Sequence, residues 1–68
     1  MTTQERLLSL IDRETGKSAN LDSSLEDLGI DSLETICLLQ AVEQEFGGEI
    51  VDKITEIETV ADILKAIE

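Results

Sequence analysis

The sequence contains no histidine, and its 68 residues include one cysteine and no proline, tryptophan or tyrosine. Without histidine, no side chain ordinarily titrates near neutral pH, and serine–histidine or cysteine–histidine catalytic pairs are excluded. One cysteine cannot form an internal disulfide or supply the ligands of a tetrahedral zinc site. These absences predict a chain without a zinc centre and without independent catalytic activity.

Long apolar runs are also absent. No stretch approaches the ~18 apolar residues that a membrane span needs, and no signal peptide opens the chain. The lone cysteine is compatible with a reducing compartment. We therefore expect a cytoplasmic, monomeric protein in which residues 1–68 form a single domain.

Basic side chains are scarce: five Lys and Arg stand against sixteen Asp and Glu, for a net charge of −11. Residues 18–52 hold nine of these acids and no base. This acidic middle repels nucleic acid. It is either a solvated surface, which is the commoner case for acidic chains, or a docking face that favours fast association with basic partners. A calcium loop starting at Asp22 has Asp27 where an EF-hand needs glycine, although a cation-buffering acidic protein remains an alternative.

Helix formers are abundant, and their apolar residues recur at helical spacing. Thr2 and Glu5 predict a capping box at the start of a first helix, which Gly16 ends. Asp31 and Glu34 predict a second capping box.

The remaining segments complete an all-α prediction. Residues 17–30 are rich in turn formers and predict a long loop pinned by its leucines. The second helix is expected to end at Phe46, residues 50–57 favour a short helix, and Thr59 begins a last helix. The expected fold is a small bundle of three longer helices plus one short helix.

The second helix has apolar residues on two sides. Its predicted core arc consists of Leu38, Leu39, Val42 and Phe46. Its predicted outward stripe consists of Leu33, Ile36, Cys37, Gln40 and Gln44. Such a stripe indicates a contact face for partner proteins, unless residues 50–57 fold over part of it.

Ser32 lies next to Leu33, the first residue of this stripe, and directly follows the predicted N-cap, Asp31. Because Asp31 already serves as the cap, the Ser32 hydroxyl is surplus to helix capping. The free amides and the dipole at a helix start favour a phosphate group, although Asp31 and Glu34 oppose it. We interpret Ser32 as a site of attachment; the alternative is an ordinary first-turn serine.

The stretch LEDLGIDSLETICLLQAVEQEFGGEI, residues 25–50, resembles the central region of acyl carrier proteins. Asp-Ser-Leu follows a Leu-Gly-x turn, an acid comes next, and Glu-x-x-Phe precedes glycine and isoleucine. The segments ERLLSLI and TVADILKAI are similar to the first and last helices of that family.

The resemblance implies that Ser32 carries 4′-phosphopantetheine, which a phosphopantetheinyl transferase takes from coenzyme A. The arm would hold acyl groups as thioesters for an acyl-loading ligase or transferase and for synthase enzymes with basic docking patches. Fatty-acid or polyketide biosynthesis is favoured; a peptidyl or aminoacyl carrier and an unmodified carrier-like interaction domain are alternatives. The implied docking face is Asp31, Leu33, Glu34, Ile36, Cys37, Gln40, Glu43 and Gln44. The implied acyl pocket is Leu38, Val42, Ile54 and Ile57.

The sequence departs from the family pattern away from the attachment site. Cys37 replaces an acid on the docking stripe, Gln40 and Gln44 replace an apolar residue and an acid, and the usual Ile-Pro is Ile50-Val51. These changes soften the charge of the docking face and indicate a specialised carrier for a dedicated pathway.

Overall fold

The computed structural model describes residues 2–68, which form four helices. In chain order these are α1 (Thr3–Thr15), α2 (Ser32–Phe46), a 3-10 helix (Val51–Glu56) and α3 (Val60–Ile67). The predicted all-α bundle, with one short helix among longer ones, is confirmed. Within the described residues, no helix is both long and apolar enough to cross a bilayer.

Helix α1 begins and ends where its caps are predicted. The Glu5 N–H donates to the Thr2 Oγ1 at 3.1 Å, and the Thr2 N–H donates to the Glu5 carboxylate at 3.2 Å. Gly16 ends the helix with a φ of 72°, a left-handed conformation that glycine adopts without a Cβ clash. Local sequence therefore sets both ends of α1.

The capping box predicted for α2 forms only in part. The Glu34 N–H donates to the Asp31 Oδ1 at 2.8 Å, which confirms Asp31 as the N-cap. The reciprocal bond from the Asp31 N–H to the Glu34 carboxylate is not formed, so that half of the prediction is wrong. The caps of α1 and α3 are neutral threonines, whereas here two carboxylates repel each other across the turn.

The core side of α2 is buried except at its end. Three of the four predicted core residues are buried, namely Leu38, Leu39 and Val42. Phe46 is only half-buried because it is the last residue of the helix. The Arg6 guanidinium lies 4.7 Å from its ring centroid and 3.4 Å from the Glu45 carboxylate. A cation–π contact and an ion pair thus join α1 to the end of α2.

Residues 17–30 contain more structure than the predicted loop. Residues 24–28 make one helical turn, in which the Leu28 N–H donates to the Ser24 carbonyl at 3.1 Å. The Asp27 N–H donates to the Ser24 Oγ at 3.0 Å, so Ser24 caps this turn as it would cap a longer helix. Serine favours both turns and helix caps, so the composition of this segment did not distinguish a loop from a short helical turn.

A short backbone pairing fastens this loop to the start of α3. The Leu25 N–H donates to the Glu58 carbonyl at 2.9 Å, and the Val60 N–H donates to the Ser23 carbonyl at 3.0 Å. A single antiparallel bridge needs no alternating strand pattern, so the sequence analysis did not predict it.

One aliphatic core joins the three α-helices and the loop. Its side chains are buried without any aromatic ring among them. No residue of the 3-10 helix itself is fully buried, but Val51 and Ile54 are half-buried and pack against the core, and the flanking residues Ile50 and Ile57 are buried in it. The buried hydrophobic residues are Leu7, Leu10, Ile11, Leu25, Ile30, Leu38, Leu39, Val42, Ile50, Ile57, Val60 and Ile63.

The free energy of unfolding should depend on pH through Asp62, in the first turn of α3. Hydrogen bonds from the Glu58 and Thr59 N–H groups hold the pKa of the Asp62 carboxyl below its ordinary value of 3.8. The stabilisation is therefore present above pH 3.8 and lost as pH falls through the lower folded pKa. In urea unfolding, wild type should exceed Asp62→Asn in stability above pH 3.8, with the difference shrinking in stronger acid. A difference that stays constant with pH would contradict this assignment.

Candidate functional site

The turn before α2 places Ser32 at a fixed point on the surface. Gly29 ends that turn with a φ of 76°, and the Ile30 N–H then donates to the Leu25 carbonyl at 3.0 Å. Leu25 and Ile30 are both buried, so they anchor the turn in the core. Asp31 follows as the N-cap, and Ser32 is the first helical residue.

The Ser32 hydroxyl is exposed, and across residues 2–68 its Oγ has no hydrogen-bond partner. The backbone N–H groups of Ser32 and Leu33 are likewise without protein acceptors, whereas Asp31 accepts those of Glu34 and Thr35. Free N–H groups and the helix dipole at such a position favour an anion. The site therefore fits a phosphodiester on the Ser32 Oγ.

Two acids flank Ser32 in the sequence, Asp31 directly before it and Glu34 two residues after it. Asp31 and Glu34 are exposed, so water and salt weaken their repulsion of a phosphate group at Ser32. The Ser32 hydroxyl stays exposed, and the negative charge of these carboxylates attracts a basic partner.

A family model described as "Phosphopantetheine attachment site" matches residues 5–67. The chain belongs to this family. The match covers nearly all of α1 and the other three helices entirely, so the chain is a phosphopantetheine carrier domain. No solved structure matches the chain.

Membership in the phosphopantetheine-attachment family confirms the predicted cofactor, because 4′-phosphopantetheine is the prosthetic group that the family binds. It also implies two general kinds of partner, a phosphopantetheinyl transferase and the synthase enzymes that use the carried group.

Most of the predicted docking residues lie on an exposed face of α2. Leu33 stands out as a large hydrophobic side chain that is 74% exposed. Ile36 and Glu43 are half-buried, and the 3-10 helix meets this face at Glu43. The exposed members are Asp31, Leu33, Glu34, Cys37, Gln40 and Gln44. Residues 50–57 therefore leave most of the predicted stripe open.

Of the four residues predicted to line an acyl pocket, two come together beside Ser32. Ile54 and Ile57 line a cleft of about 180 Å³ whose wall includes Ser32. Val42 is fully buried in the core, and Leu38 borders a different groove between α1 and α2. The structure thus shows an opening at Ser32 and places Leu38 and Val42 away from it.

Thr35 belongs to this cleft although the sequence analysis did not select it. It is buried, lines the cleft beside Ser32, and its Oγ1 donates to the Asp31 carbonyl at 2.8 Å. That bond satisfies the buried Thr35 hydroxyl in a wall that combines isoleucines with polar residues. The signal that could have found Thr35 is its position three residues after Ser32, on the same side of the helix.

Proposed function

We propose that Ser32 carries the 4′-phosphopantetheine arm and that the arm holds acyl groups as thioesters for a fatty-acid or polyketide-type pathway in the cytoplasm. The observation that supports this is the Ser32 hydroxyl itself, exposed and without a protein partner at the first residue of α2. The chain holds and presents the cargo, and partner enzymes perform the chemistry.

Attachment at Ser32 needs a base from outside the chain. The sequence has no histidine, and no side chain among residues 2–68 is hydrogen-bonded to the Ser32 Oγ. The carboxylate of the adjacent Asp31 is engaged by the Glu34 N–H. The transferase must therefore supply the base and hold coenzyme A, while this chain supplies an accessible hydroxyl.

The cleft beside Ser32 supports an apolar cargo. Its wall carries the side chains of Ile30, Ile54 and Ile57, which offer an aliphatic chain apolar contacts, beside the polar residues Asp31, Ser32 and Thr35. Amide NMR shifts of forms loaded with a short and a long acyl chain would test this. We expect the longer chain to shift Ile54 and Ile57 more; equal spectra would contradict an acyl cargo in this cleft.

The acidic docking face predicts an effect of charge reversal on partner binding. Glu34→Lys should weaken binding to a basic phosphopantetheinyl transferase roughly 3- to 10-fold at low salt, mainly through slower association. The salt dependence of binding should become shallower, because a repulsive charge replaces an attractive one. Binding kinetics measured at several salt concentrations check this.

Asp12→Lys is the matched control, since Asp12 is exposed on α1 and the net charge changes by the same amount. An equal loss of affinity in both variants would show that net charge, rather than the face around Ser32, governs binding.

The direct test of the proposal is incubation of the chain with coenzyme A and a broad-specificity phosphopantetheinyl transferase, followed by intact-mass measurement. We expect the addition of one phosphopantetheine group per chain. No addition with any of several transferases would favour the alternative, an unmodified carrier-like interaction domain.

A further inference from the structure

The 3-10 helix forms one wall of the cleft beside Ser32, through Ile54. No side chain within Val51–Glu56 is buried, and its N-cap, Ile50, makes no side-chain capping bond. Its flanking residues Ile50 and Ile57 are buried, whereas Val51 and Ile54 are only half-buried against the core. Segments with few buried contacts open at a low cost in free energy, so single contacts matter for the position of this wall.

One such contact joins α2 to the start of the 3-10 helix. The Val51 N–H donates to the Glu43 Oε2 at 3.0 Å, and across residues 2–68 this is the only hydrogen bond between those two helices. Val51 is the first residue of its helix, so its N–H has no acceptor within that helix. An ionised carboxylate is a stronger acceptor than a neutral group.

We propose that Glu43 is a positioning residue whose carboxylate holds the 3-10 helix against α2 and thereby keeps Ile54 at the cleft beside Ser32. Glu43 is also one of the predicted docking residues, so positioning the 3-10 helix is its second proposed role. The importance of the cleft for cargo rests on the proposed function, but the bond itself does not require a modified Ser32.

The size of the cleft explains why this wall matters. At about 180 Å³ it is smaller than the ~300 Å³ at which small-molecule pockets begin. A longer cargo chain therefore needs a wall to move, and the Val51–Glu43 bond is a contact that such a movement must break. Glu43 thus sets how readily the cleft widens.

Hydrogen exchange of the unmodified full chain tests the proposal with three variants. Glu43→Ala removes the acceptor, whereas Glu43→Gln removes the charge and keeps an amide oxygen that can accept the Val51 N–H. Glu45→Ala is the control, because it removes a nearby carboxylate that pairs instead with Arg6.

The informative amides are Lys53 and Ile57, whose N–H groups donate to the carbonyls of Ile50 and Ile54. In Glu43→Ala both should exchange roughly 3- to 30-fold faster than in wild type. Glu43→Gln should restore most of the protection, and the control variant should match wild type at these amides.

The location of the faster exchange along the chain and the behaviour of the Gln variant decide the outcome. Faster exchange confined to residues 51–57 supports the proposal, because a general loss of stability would accelerate exchange of amides in α1 and α3 as well. Unchanged exchange at Lys53 and Ile57 in Glu43→Ala, or a Gln variant no better than Ala, would overturn it. Failure of phosphopantetheine uptake would instead overturn the proposed function and leave this result intact.

Discussion

Replacing Ser32 with alanine is expected to abolish phosphopantetheine uptake and leave the fold unchanged. In the proposed reaction the Ser32 hydroxyl is the attacking group, and the alanine side chain has no oxygen to replace it. Its loss should not disturb α2, because the Ser32 Oγ makes no hydrogen bond within residues 2–68 and alanine is a good helix former. Intact mass after the transferase reaction, together with circular dichroism, measures both effects.

Ser9→Ala is the matched control for this loss. Ser9 is also exposed on a helix, but it lies in the middle of α1, where no free N–H groups point outward to receive an anion. This variant should take up one group as wild type does. Uptake by the Ser32 variant would contradict the assignment of the attachment site.

Leu39→Ala is expected to remove a large part of the stability of the domain. Leu39 is completely buried, and truncating such a leucine costs about 2–5 kcal/mol. A chain of 68 residues has a free energy of unfolding of only about 3–10 kcal/mol. Leu39→Ala should therefore lower the free energy of unfolding by a large fraction of its total, measurable by urea or thermal unfolding.

Leu33→Ala provides the control for this prediction, because the chemical change is the same at a residue that is 74% exposed. It should alter the free energy of unfolding by less than about 0.5 kcal/mol. Similar losses in the two variants would show that the buried side of α2 is not where the structure places it.

The features that the sequence predicted well are those that neighbouring residues determine. The ends of α1 follow from Thr2, Glu5 and Gly16, and the position of Ser32 follows from Asp31 one residue before it. Capping involves residues only three positions apart, so a short stretch of sequence carries the whole interaction.

Features that depend on distant residues could not be predicted in the same way. The bond between Glu43 and Val51 and the pairing of Ser24 with Thr59 depend on how the helices pack together. The cleft beside Ser32 is also a product of packing, since Ile54 comes from a separate helix. Helical periodicity predicts which face of α2 is apolar, but it does not predict which segment of the chain covers that face.

The half-formed cap of α2 shows that charge decides between similar motifs. The pattern of cap and acid three residues later is the same at Asp31 as at Thr2 and Thr59, yet only the threonines form complete boxes. With its carboxylate free of the cap, Glu34 keeps an exposed charge two residues after Ser32.

Fragment-ion mass spectrometry of the loaded chain tests most directly whether Ser32 bears the arm. Cleavage after Lys17 and Lys53 releases residues 18–53, a peptide that also contains Ser18, Ser23 and Ser24 as internal comparisons. We predict a single phosphopantetheine group on Ser32 and none on the other three serines. A group found on any of those serines, with Ser32 unmodified, would contradict the account.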